Sequence, residues 1–146
     1  MTETMFEGPL WVVDFLPRQA PAGSAGQLFD VEGFFLREPL YTALLNRFAE
    51  ILLKLNCYYD MRYGDLREDS FCDNLPPEQL AAWMTKERRD LCILIPAENA
   101  LITLNRGDTH MTVYHPSETL LRLLEQLAGA AGLFVWQPPV KGSDGL

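Results

Sequence analysis

The stretch "LCILIPAENALITLNRGDTHMTVYH", residues 91–115, decides the fold. Three short runs rich in β-formers, LCILIP, ALITLN and HMTVYH, are divided by AEN and RGDT, segments of turn-forming character. Links this short join antiparallel neighbours, because a parallel return needs a crossover of roughly a dozen residues or more. The stretch therefore predicts an antiparallel meander. Its first run is apolar at every position from Leu91 to Ile95, which places that strand in the middle of a sheet and covers it on both faces. The third run alternates more openly.

Working outward, SETLLRLLEQLAGAAG predicts a helix with Ser117 as N-cap, Glu118 near its positive end, and Gly129 or Gly132 as the stop. LFVWQ reads as a last strand ended by Pro138 and Pro139, and residues 138–146 have the composition of a flexible tail. On the N-terminal side, residues 76–87 predict a helix that starts with a Pro-Pro pair and turns Leu80, Trp83 and Met84 inward. A longer helix is predicted over residues 39–56, where Leu40, Leu44, Phe48, Ile51, Leu52 and Leu55 follow the helical repeat. CYYDMRYG predicts a strand over residues 57–63, leading into the charged loop DLREDSFCDN.

LWVVDFLP reads as the first strand, with Trp11, Val13 and Phe15 on one face and Asp14 on the other. Because burying an unpaired acid is costly, Asp14 is expected on a solvated face. RQAPAGSAGQ is a connector, and FDVEGFF a short strand or extended lead-in. The order is strand, helix, strand, helix, three strands, helix, strand. It predicts a single α+β domain over residues 1–137, with a mixed, mainly antiparallel sheet and about three helices packed on its faces.

A chain of 146 residues, 48% apolar, is long enough for one core. Its formal charge of -8 opposes the cationic footprint by which proteins hold phosphate backbones, so nucleic acid is not an expected partner. Residues 1–73 hold 12 acids against 6 bases, and the remainder 8 against 6, so the excess lies in the first half and gives a weak preference for a basic partner. Cys57, Cys72 and Cys92 are odd in number and lack C-x-x-C spacing, which reads as buried thiols in a reducing, cytoplasmic setting. Acids in the first residues argue against a secretory leader, and no apolar run is long enough to span a bilayer.

Both histidines fall in the third run of the meander. His110 and His115 are an odd number of residues apart, so on an extended backbone their rings point to opposite faces and cannot share a metal or a proton. Ser117, beside His115, is assigned to the helix cap rather than to nucleophilic work. The tripeptide Arg106-Gly107-Asp108 matches an integrin-recognition sequence, but glycine between polar residues is what a hairpin turn requires. Tyr58, Tyr59 and Tyr63, with Trp136 in the last strand, are aromatic enough to line a groove, but ordinary core and cross-strand packing is the favoured reading.

The least ordinary feature is the acidic segment, with Asp60, Asp65, Glu68, Asp69 and Asp73 interleaved with Arg62 and Arg67. Oxygen-rich clusters hold divalent cations, and paired carboxylates divide acid and base work, but this spacing matches no calcium loop. The chain has no G-x-G, no Walker lysine, no G-x-S-x-G and no H-E-x-x-H. No catalytic residue, metal ligand or cofactor is assigned. The expected function is a non-enzymatic protein-binding or regulatory module, using Asp65, Glu68, Asp69 and Trp136 toward a protein partner or a second copy of the chain. Two alternatives remain: a small hydrolase built on the carboxylates of residues 60–73, and a small-molecule sensor, which requires an enclosed aromatic pocket.

Overall fold

Seven strands form one sheet in the order β3-β2-β4-β5-β6-β1-β7 in the computed structural model, which describes residues 8–21, 26–65 and 70–139. In chain order the elements are β1 (Leu10–Asp14), α1 (Leu28–Phe35), α2 (Leu40–Leu55), β2 (Arg62–Asp65), β3 (Phe71–Asp73), α3 (Pro77–Thr85), β4 (Leu91–Ile95), β5 (Ala100–Leu104), β6 (His110–Tyr114), α4 (Glu118–Ala130) and β7 (Phe134–Trp136). A single 3-10 turn, Pro96–Glu98, links β4 to β5. The fold is α+β, as the element order implied.

The meander stands at the centre. Ile93 pairs with Ile102, and Ile102 with Val113, so β4, β5 and β6 run antiparallel in sequence order. All five residues of β4 are buried, as expected for an uninterrupted apolar run. The sheet is antiparallel at every pairing, not mixed. The helical crossovers do return their strands in the original direction, but an antiparallel strand lies between the two. β1 separates β6 from β7 across α4, and β2 separates β3 from β4 across α3. Direction was predictable from the crossovers; adjacency was not.

One face carries the main core. Val13, Tyr63, Ile93, Ile102 and Val113 meet Phe48, Ile51 and Leu52 of α2, Leu80 of α3 and Leu124 of α4 in one buried cluster. At about 2 kcal/mol for each fully buried large apolar side chain, this layer dominates the stability. On the opposite face a smaller cluster of Cys92, Leu94 and Leu101 is flanked by Phe71 and Tyr114. Gly64 permits that arrangement, since a Cβ there would lie 2.6 Å from the Phe71 ring. Ser117 accepts the Leu120 N–H at 3.0 Å and caps α4 as anticipated, and Gly132, at φ +77°, lies just past its end.

Four α-helices are present among the described residues where about three were expected, because FDVEGFF is helical. Its β-forming residues mislead: the helix is held from outside, with Phe35 packed at a tilt against Phe15, ring centroids 5.0 Å apart. The strand expected over residues 57–63 starts only at Arg62, and residues 56–59 form a turn that continues from α2 through N–H bonds back to Leu52, Lys54 and Leu55. The charged loop contains β3, three residues that count as a strand only through pairing with β2. Cys57 and Cys72 are exposed, and only Cys92 is the buried thiol that all three were expected to be. No helix among the described residues is long and apolar enough to cross a membrane.

Candidate functional site

The acidic segment is where chemistry was expected, and its described members are engaged with their neighbours. Asp73 on β3 pairs across the strands with Arg62, Oδ1 to Nε at 3.1 Å, both side chains exposed. Asp60 accepts from Asn74 Nδ2 at 3.1 Å. Asn74 organises this end of the sheet: its Oδ1 accepts the Met61 N–H and an Asn56 Nδ2 hydrogen, both at 2.9 Å, from a left-handed backbone at φ +48°. Asp65 ends β2 on the same side as buried Tyr63, on the face opposite to Arg62 and Asp73. Glu68 and Asp69 lie outside the described residues. Among the described residues, no group of three or more His, Cys, Asp or Glu side chains is placed to hold a metal.

The aromatic residues do not form one groove. Tyr63 is in the core, its hydroxyl donating to Asn56 Oδ1 at 3.0 Å and pushed up to about 12 by burial. Tyr59 donates to Glu98 Oε2 at 2.9 Å, and Tyr58 is exposed beside Asp60 in an open cleft of about 560 Å³. Trp136 stands at the far edge of the sheet, on β7.

That far edge holds the more unusual chemistry. Register places Asp14 of β1 directly opposite His110 of β6, and Val12 between Thr112 and Trp136. Alternation puts Val12, Asp14, His110 and Trp136 together on the face away from the main core. The loop after β1 and the helix α1 close over this corner. The result is a cavity of about 200 Å³ with Val12, Asp14, Leu28, Glu32, His110 and Trp136 in its walls. Among the described residues, Glu32 of α1 is held by a 3.5 Å contact from Thr109 Oγ1.

Asp14 is half-buried, not solvated as expected. Burial raises its pKa above the ordinary 3.8, against the opposing effects of the Phe15 N–H, attraction to His110, the Leu16 N–H and the Trp136 indole. The Phe15 N–H donates to Oδ1 at 2.7 Å. The indole Nε1–H favours the carboxylate without completing a hydrogen bond, for it is buried with no partner among the described residues. His115 lies elsewhere. Its backbone is left-handed at φ +58°, its N–H donates to Pro9 O at 3.0 Å, and its ring lies over Gly8.

Of the four residues named from sequence, then, Trp136 is in this cavity, Asp65 is not, and the other two are undescribed. Asp14 and His110 were missed. The available signal was the acid inside LWVVDFLP, a residue type that strands seldom carry between apolar neighbours. Arg106-Gly107-Asp108 is a hairpin turn fastened from both sides: Asp90 accepts the Arg106 N–H at 2.6 Å and the Tyr41 hydroxyl accepts the Gly107 N–H at 2.9 Å. Comparison with protein-family models, curated proteins and solved structures gives no match.

Proposed function

We propose that the chain is a non-enzymatic binding module that docks a protein partner on α1. The observation that carries this reading is a helix whose outer side is apolar and uncovered. None of its residues is buried, and Phe29 and Phe34 are 84% and 52% exposed, with Val31 and Leu36 also exposed beside them. An eight-residue helix with Gly33 inside it and no side-chain cap has little stability of its own, so covering its rings would add order as well as about 2 kcal/mol per phenylalanine.

Charge favours a basic partner over a second copy of the chain. Asp30 stands among the exposed apolar residues, and α1 has no basic residue in its last turn. A twofold contact through α1 would set this acid against itself on two chains of charge -8. An apolar groove rimmed by lysine or arginine gains from both the rings and the acid. The hydrolase alternative draws no support from Asp60 and Asp73, which are bonded to Asn74 and Arg62.

The test is a chemical-shift titration with a short amphipathic helix of leucine and lysine, using a leucine and glutamate helix as control. The expected result is saturable, salt-sensitive shifts on α1 with the basic peptide alone, lost in Phe29→Ser/Phe34→Ser. Equal shifts with both peptides, or none on α1, would overturn the reading. A dimer in sedimentation that the same double variant dissolves would replace the basic partner with self-association.

A further inference from the structure

Beneath α1, the cavity at the Asp14 corner has a size and charge that select a ligand class independently of any partner on α1. A 150 Å³ cavity holds benzene, so about 200 Å³ admits one ring or a short chain with a polar substituent. Val12, Leu16 and Leu28 supply apolar wall. Asp14 enters from β1 and Glu32 from α1, while His110 of β6 is the one basic side chain among the described lining residues. Neither lysine nor arginine is among them.

Three features call for complementary groups. Asp14 is a half-buried acid in the cavity wall, with the Phe15 N–H on Oδ1 at 2.7 Å and the Leu16 N–H also favouring its carboxylate. Glu32, among the described residues, is held by a contact of 3.5 Å. The Trp136 Nε1–H is buried and, although it lies near enough to Asp14 to favour the carboxylate, completes no hydrogen bond among the described residues, so a ligand oxygen would supply the acceptor it lacks. An anion would meet two carboxylates. A purely apolar molecule would leave Asp14 desolvated and the indole unpaired. A protonated amine answers both acids, and a hydroxyl on the same molecule answers the indole.

We infer that this cavity binds a small organic cation, a protonated amine with a nearby hydroxyl on a one-ring or short apolar body, held by Asp14 and Glu32 with Trp136 donating to the hydroxyl oxygen. The charged groups facing the amine are Asp14 from β1, Glu32 from α1 and His110 from β6. Ionisation of Asp14 adds to the attraction for the amine, so affinity rises with pH as that carboxyl ionises.

Phenylethanolamine, phenethylamine and mandelate, followed by the Trp136 indole N–H resonance, test this directly. Phenylethanolamine shifts that resonance saturably; phenethylamine, lacking the hydroxyl, binds about fivefold more weakly, and mandelate does not compete. Asp14→Asn weakens phenylethanolamine about tenfold, and Glu32→Gln, a change at a partly exposed helix position, weakens it several-fold with the fold intact by its spectrum. Absence of a saturable Trp136 shift, binding of mandelate as well as the amine, or unchanged affinity in both folded variants would overturn the inference.

Discussion

Asp73 and Asp14 are both strand carboxylates near opposite edges of one sheet, and each faces a basic residue on the next strand. Asp73 meets Arg62 in solvent, where such a pair contributes little. Asp14 meets His110 under a helix and beside an indole that completes no hydrogen bond among the described residues, where burial raises its proton affinity. The acid-rich segment attracts attention by number, but enclosure is what gives a carboxylate unusual chemistry. One isolated acid inside an apolar strand carries more information here than five in a charged loop.

The largest effect should come from the residue that fixes the acidic end. Asn74→Ala removes the acceptor of the Met61 N–H and the donor to Asp60 while leaving a left-handed backbone, and should cost about 2 kcal/mol in urea denaturation. A loss near zero would mean that this end is not held as described, and would weaken the contrast with the Asp14 corner.

Next is Asp14→Asn, whose effect has a sign that depends on pH. The folded pKa of Asp14 is raised, so ionisation is harder in the folded state than in the unfolded one. Stability from this residue is fully present below its ordinary value of 3.8 and is lost as pH rises through the raised value. Asparagine, which stays neutral, should therefore stabilise the protein at neutral pH and bring no gain at pH below the ordinary carboxyl range. Thermal melts at both conditions check this; a variant destabilised at neutral pH would break the comparison.

Smallest is Asp73→Asn. Its partner is an exposed arginine, and the change should alter stability by no more than about 0.5 kcal/mol, less still in high salt. A cost well above that would show that the acidic end is more than a solvated surface.

What the sequence disclosed tracks how locally each feature is encoded. The apolar face of α2, the Ser117 cap of α4 and the turn-separated runs of the meander are set within a few residues of themselves, and all were legible. α1 was not, because Phe29, Val31 and Phe34 favour strand by type while the contact that supports the helix, Phe35 on Phe15, comes from the preceding loop. β3 was not, because Phe71 to Asp73 acquire strand character only from pairing with β2. The Asp14–His110 pair joins residues far apart in the chain, through a register that depends on β1 inserting between β6 and β7. Trp136 was legible as an aromatic of interest, though not the company it keeps.

The most direct measurement is a carboxyl-carbon NMR titration of Asp14 in the free protein. Enclosure of this corner predicts a midpoint above 3.8, and a midpoint at or below 3.8 would contradict it.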